Sequence, residues 1–92
     1  MKVNDKKVYK CRRGLQEGTN RALFLYQKDS GKWIAVEADK DCSDPVNRGT
    51  RAFKTLLRVA DITIPGRYEW QWFNEKSQTW QNCWHAFEHK FV

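Results

Sequence analysis

The chain has 92 residues, enough for one domain and close to the smallest size at which a single hydrophobic core holds a fold. Seventeen Lys and Arg against 11 Asp and Glu give a net charge of +6; this favours an acidic protein or a polyanion as partner, nucleic acid included, without choosing among them. No apolar stretch approaches the length of a membrane-crossing helix, and the basic start lacks the apolar run of a signal peptide.

The chain therefore reads as a soluble domain whose compartment is open. The three cysteines, Cys11, Cys42 and Cys83, are far apart with no C-x-x-C. An odd count allows one disulfide or none, and reduced thiols in an intracellular setting are the preferred reading. Five Trp, five Phe and three Tyr must supply much of the core area.

In chain order, residues 3–12 read as a first strand, with Val8 and Tyr9 as its most apolar pair, ended by turn residues at 14–20. Residues 21–27 and 32–38 read as a hairpin around Lys28-Asp29-Ser30-Gly31, where Gly31 is free to take positive φ. Residues 39–49, crowded with Asp, Ser, Pro, Asn and Gly, form the longest loop.

Residues 50–61 carry two periodicities. A helix over about 50–60 takes Thr50 as N-cap, puts Phe53, Leu56, Leu57 and Ala60 on one side, and sets Arg51, Lys54 and Arg58 opposite. A strand buries Phe53, Leu57 and Val59 but leaves Leu56 among charges; the short helix is the preferred reading. Residues 60–64 then return as a strand, Pro65-Gly66 turns the chain, and 68–73 with 79–87 form a second hairpin.

The hairpins look like copies of one unit. Tyr26-Gln-Lys-Asp-Ser-Gly-Lys-Trp33 aligns with Phe73-Asn-Glu-Lys-Ser-Gln-Thr-Trp80, suggesting half-repeats at 1–47 and 48–92. The expected fold is mainly β: a small antiparallel sandwich or barrel-like domain of two related hairpin units with one short helix between them, α+β being the alternative. Strand alternation puts Tyr68, Trp70 and Trp72 on one face and Trp80 with Trp84 on one face. These five rings are expected to meet and pack inward, leaving Glu69, Gln71, Gln81, Cys83 and His85 on an opposite polar face.

Catalytic patterns are missing: there is no Gly-rich phosphate loop, no H-E-x-x-H and no G-x-S-x-G. Cys83-x-His85 with His89 is the one metal-like cluster, and its spacing matches no common zinc pattern. Glu37 and Glu69 are the acids nearest to a carboxylate pair, without any spacing to single them out. The expectation is a protein without enzymatic activity, cofactor or metal. The residues expected to meet a ligand are Gln71, Gln81, His85 and Glu69 on the polar face, and Arg51, Lys54 and Arg58 along a basic strip.

Two resemblances add to this. The layout of Val8-Tyr9-Lys10, Leu25-Tyr26, Lys32-Trp33-Ile34, Pro65-Gly66 and two further tryptophan strands resembles small tryptophan-patterned β modules of unassigned role. Trp70-x-Trp72, Trp80 and Phe87-Glu88-x-x-Phe91 resemble the opening hairpin and helix of the WWE domain, which implies binding of ADP-ribose polymers. In that register the family's remaining strands would fall beyond Val92. A second register, with the hairpin at 23–38 and the helix at 50–60, restores the order of elements and weakens the signature tryptophans.

The resulting expectation is a binding or assembly module docking on an anionic or mixed protein partner. The alternatives are a single-stranded nucleic acid or ADP-ribose-like polyanion, and a glycan held through Trp and amide side chains.

Overall fold

The computed structural model describes residues 2–3, 5–11, 20–59, 61–62 and 64–87, with the backbone alone at His85 and Phe87. Seven strands form one antiparallel sheet, each beside its neighbour in sequence. They are β1 (Lys2–Val3), β2 (Lys6–Cys11), β3 (Arg21–Gln27), β4 (Trp33–Asp39), β5 (Thr50–Thr55), β6 (Gly66–Asn74) and β7 (Thr79–Phe87), with one turn of helix, α1 (Pro45–Arg48), between β4 and β5. The mainly β, antiparallel expectation holds, and both expected hairpins are present.

The centre of the sheet is buried on both faces. Ala22-Leu-Phe-Leu-Tyr26 is buried throughout and Trp33-Ile-Ala-Val36 likewise, as a short continuous apolar run requires of a strand covered on two sides. On one face Val8, Phe24, Tyr26, Ile34 and Val36 form a core against which Cys42 and Val46 pack. On the other, Leu23, Leu25, Trp33, Ala35 and Trp70 form a second core, closed by Ile62 with Val59 beside it. The loop before β5 thus serves one face and the loop after it the other.

Three expectations about the chain's middle and start need correction. Residues 50–55 form strand β5 and not a helix; the helical turn lies earlier, at Pro45–Arg48. Asp44 caps it, accepting from Asn47 N at 3.2 Å, with Pro45 first in the turn, where proline's missing N–H costs nothing. Gly49 ends it, and a Cβ there would sit 2.5 Å from Pro45 O and 2.6 Å from Val36 Cγ2, so the chain passes close over β4 and runs straight into pairing. The reason is tertiary: β5 fills the slot between β4 and β6, and a helix would leave backbone groups on both neighbours without partners.

Second, the strand expected at 60–64 does not form: Asp61, Ile62, Ile64 and Pro65 lie outside any strand, and Ile62 is a fully buried plug for the second core. Third, the first strand is broken in two by Asp5, at φ 63°. The turns expected at 14–19 fall outside the described residues.

The two hairpin turns share one backbone feature. Gly31 sits at φ 87° and its counterpart Gln78 at φ 56°, so both hairpins place a left-handed residue at the same step. The registers differ, however. The first hairpin pairs Gln27 with Trp33, whereas the second pairs Asn74 with Thr79 and Phe73 with Trp80. Its turn is one residue shorter, and a slip of one residue moves every side chain of β7 to the other face.

Candidate ligand-binding face

That slip separates the tryptophans. Trp70 pairs with Cys83 and Trp72 with Gln81, while Trp84 pairs with Glu69 and Trp80 with Phe73; residues opposite each other in a ladder share a face. The expectation that five rings pack inward together is therefore corrected. Trp70 is fully buried in the second core, with Cys83 and Tyr68 packed against that cluster. Trp80 and Trp84 rise from the other face, and Trp84 is 58 % exposed.

The expected polar face divides accordingly. Glu69 and Gln71 stand with Trp84 and Trp80, and Gln71 Nε2 donates to Asn82 Oδ1 at 3.0 Å. Gln81 lies on the opposite face beside Trp72, where its Oε1 accepts from Asn74 Nδ2 at 3.4 Å. His85 stands across from Tyr68 on that opposite side of the ladder, and its side chain is outside the described set. Glu69 and Gln71 thus remain candidates on one surface, separated from Gln81 and His85.

The basic strip is also rebuilt. Arg51 and Lys54 are three positions apart and would alternate in a regular strand. A bulge shifts the register so that Arg51 meets Val36 while Lys54 meets Ile34, which returns both to the face of Trp80 and Trp84. Arg58 leaves the group: its side chain lies against Gly31 in the β3–β4 turn. In its place β6 supplies Arg67, absent from the sequence-based expectation.

The result is an exposed surface on β5, β6 and β7 that combines rings, cations and amides. Lys54 Nζ lies 4.4 Å from the centre of the Trp80 ring, and the Arg67 guanidinium lies 5.1 Å from that of Trp84, within range of cation–π attraction. Phe73 braces Trp80 with ring centres 5.3 Å apart. Between the two tryptophans, roughly 13 Å apart along the strand, runs the Gln71–Asn82 amide pair. Sequence reasoning missed Arg67, Asn82 and the outward turn of both rings; the length of the Glu75–Gln78 turn was the signal that decides it.

Where the chain leaves β5 a notch of about 90 Å³ opens beside Trp84, with Leu57 and Glu69 among its walls. A larger cleft of about 490 Å³ lies at the β3–β4 turn, but Lys6, Lys7 and Lys28 are matched there by Asp5, Asp29 and Asp61. Lys6 Nζ and Asp29 Oδ1 are 2.7 Å apart, and this ion pair holds the Asp29 carboxyl below its ordinary range. The cleft offers an anion little net attraction.

Among the described residues no group of three or more His, Cys, Asp or Glu is placed to hold a metal ion; His89, part of the metal-like cluster, lies outside them. No disulfide joins Cys11, Cys42 or Cys83. Burial pushes the Cys83 thiol up, the reverse of what a nucleophilic thiolate needs. Glu37 is engaged by Arg21, Nε to Oε1 3.2 Å, on a strand away from Glu69. No helix among the described residues is long and apolar enough to cross a membrane. Comparison with protein families, curated proteins and solved structures finds no match for this chain.

Proposed function

We propose that this domain is a non-catalytic module that binds single-stranded nucleic acid across the β5–β7 face. The observation that supports this most is that exposed Trp84 and half-buried Trp80 share one face, with a cation against each ring. A single-stranded chain offers alternating ring and phosphate, and such a ligand is held by aromatic stacking beside positive charge. The +6 net charge favours a polyanion over a neutral sugar. The amide pair Gln71–Asn82 lies between the rings, available to base edges that pass over it. The likeness to the WWE family makes ADP-ribose polymer the second polyanion to compare.

The test is tryptophan fluorescence titrated with a short oligo(U), with ADP-ribose polymer and with neutral glycans in parallel. Stacking of one base is worth about 1–3 kcal/mol, so Trp84→Ala weakens oligo(U) binding by roughly fivefold or more. Trp72→Ala, on the opposite face, leaves it nearly unchanged. Removing Arg51, Lys54 and Arg67 together, each to Gln, lowers the slope of log affinity against log salt by about 2 if each meets one phosphate. Oligo(U) affinity unaffected by Trp84→Ala, or saturable glycan binding indifferent to salt with no response to oligo(U), overturns the assignment.

A further inference from the structure

Glu69 is the odd charge on this face. It stands directly across the ladder from Trp84, so the two side chains rise together with Cβ atoms about 5 Å apart. The cation two residues earlier on the same strand face, Arg67, is laid against the Trp84 ring. No described residue forms a hydrogen bond or ion pair with the Glu69 carboxylate; the backbone oxygen of the same residue accepts from Leu56 N at 3.1 Å. A carboxylate among Arg51, Lys54 and Arg67 weakens attraction for phosphate, so its contribution to a nucleic-acid surface lies in its two acceptor oxygens.

Glu69 borders the notch beside Trp84. Leu56 makes the last ladder bond, then the chain turns away, and Leu57, Val59, Arg67 and Glu69 wall a space of about 90 Å³. Leu57 is 60 % exposed and gives the space an apolar lip. A space of this size admits the edge of one ring system.

We propose that the notch takes a guanine ring, stacked on Trp84 with its Watson–Crick edge on Glu69. This rests on the nucleic-acid reading of the face. A carboxylate has two acceptors side by side and no donor. Guanine presents two donors side by side, N1–H and the N2 amino group, and fits both oxygens. Adenine and cytosine each offer one amino group beside a ring nitrogen that repels the second oxygen, and uracil flanks its single N–H with carbonyls. Buried or ring-covered charge-assisted bonds of this kind are the strong ones, and a bidentate base contact discriminates by about tenfold or more.

The experiment measures binding of oligo(U), of the same oligomer with one U replaced by G, A or C, and of GMP alone, to the wild type and to E69Q. The expected result is a preference of roughly tenfold for the G-containing oligomer. Glu69→Gln abolishes the preference for G, because an amide sets one acceptor beside one donor and suits the amino group and ring nitrogen of A or C at least as well, and oligo(U) binds the variant at least as tightly because a negative charge has gone. GMP binding by the wild type identifies a free guanine nucleotide as sufficient; preference confined to the oligomers identifies the polymer as the source of the ring. Oligomers that bind without base preference, or a G preference that survives E69Q, overturn the guanine assignment while leaving the nucleic-acid reading intact. Absence of binding to every oligomer overturns both.

Discussion

Thr55 closes the sheet by an unusual route, and replacing it with valine separates two accounts of why the fold holds. The side chain is 2 % exposed. Its Oγ1 accepts from Trp33 N at 2.9 Å and donates to Trp33 O at 3.2 Å, standing in for the ladder bonds that end where β5 leaves β4. Valine has the same shape, and an account based on apolar area alone predicts a gain of up to about 1 kcal/mol. The hydrogen bonds argue otherwise. Thr55→Val leaves a buried N–H and a buried carbonyl of Trp33 unmatched, at about 1–3 kcal/mol each; less the apolar gain of up to about 1 kcal/mol, the net loss centres near about 3 kcal/mol. Thr55→Ser keeps both bonds and loses one methyl, about 1 kcal/mol. Urea unfolding followed by the buried Trp33 and Trp70 measures both, and the valine variant should melt roughly 10 °C or more below the wild type. If Thr55→Val is as stable as Thr55→Ser, or more stable, the hydroxyl does not hold the end of the β4–β5 ladder and the reasoning fails.

Other consequences are read by simple assays. Gln78 holds φ 56° and Gly31 φ 87°, and a side chain in that region costs about 1–2 kcal/mol. Gln78→Gly therefore gains about 0.5 kcal/mol after the extra freedom of glycine in the unfolded chain is subtracted, and Gly31→Gln loses about 1–2 kcal/mol; equal and negligible shifts in thermal midpoint would contradict the shared turn. The Cys83 thiol, raised by burial, holds its proton to higher pH than a free cysteine. At about pH 8 it should be alkylated by iodoacetamide more slowly than cysteine itself, and peptide mapping that finds it modified faster would contradict its place in the second core.

The face proposed to bind nucleic acid shows where local pattern stops being informative. Alternation alone puts Trp80 and Trp84 on one side of their strand, and Trp70 and Trp72 on one side of theirs, because strand period is a property of each segment. Whether those sides coincide depends on the turn. Copying the register of the first hairpin would set Trp84 opposite Trp70 and bury both; the shorter second turn sets it opposite Glu69. Arg51 and Lys54 give the complementary case. Helical spacing would group them, but residues 50–55 are a strand, and the β5 bulge brings the two to one face all the same. Arg58, grouped with them by the same spacing, lies elsewhere.

The sequence by itself determined the antiparallel β class, the two hairpins and their turns, and the apolar runs at the centre of the sheet. These follow from the handedness of glycine, the twofold alternation of strands and the burial of continuous apolar segments, all of which act over a few neighbouring residues. The tertiary structure alone decided that residues 50–55 form a strand, that Ile62 plugs a core, and that Trp80 and Trp84 share the face of Glu69, away from Trp70. Each depends on pairing between distant segments, where satisfying the backbone of β4 and β6 outweighs a weak local helical preference, and where one residue more or less in a turn sends every side chain of a strand to the opposite face.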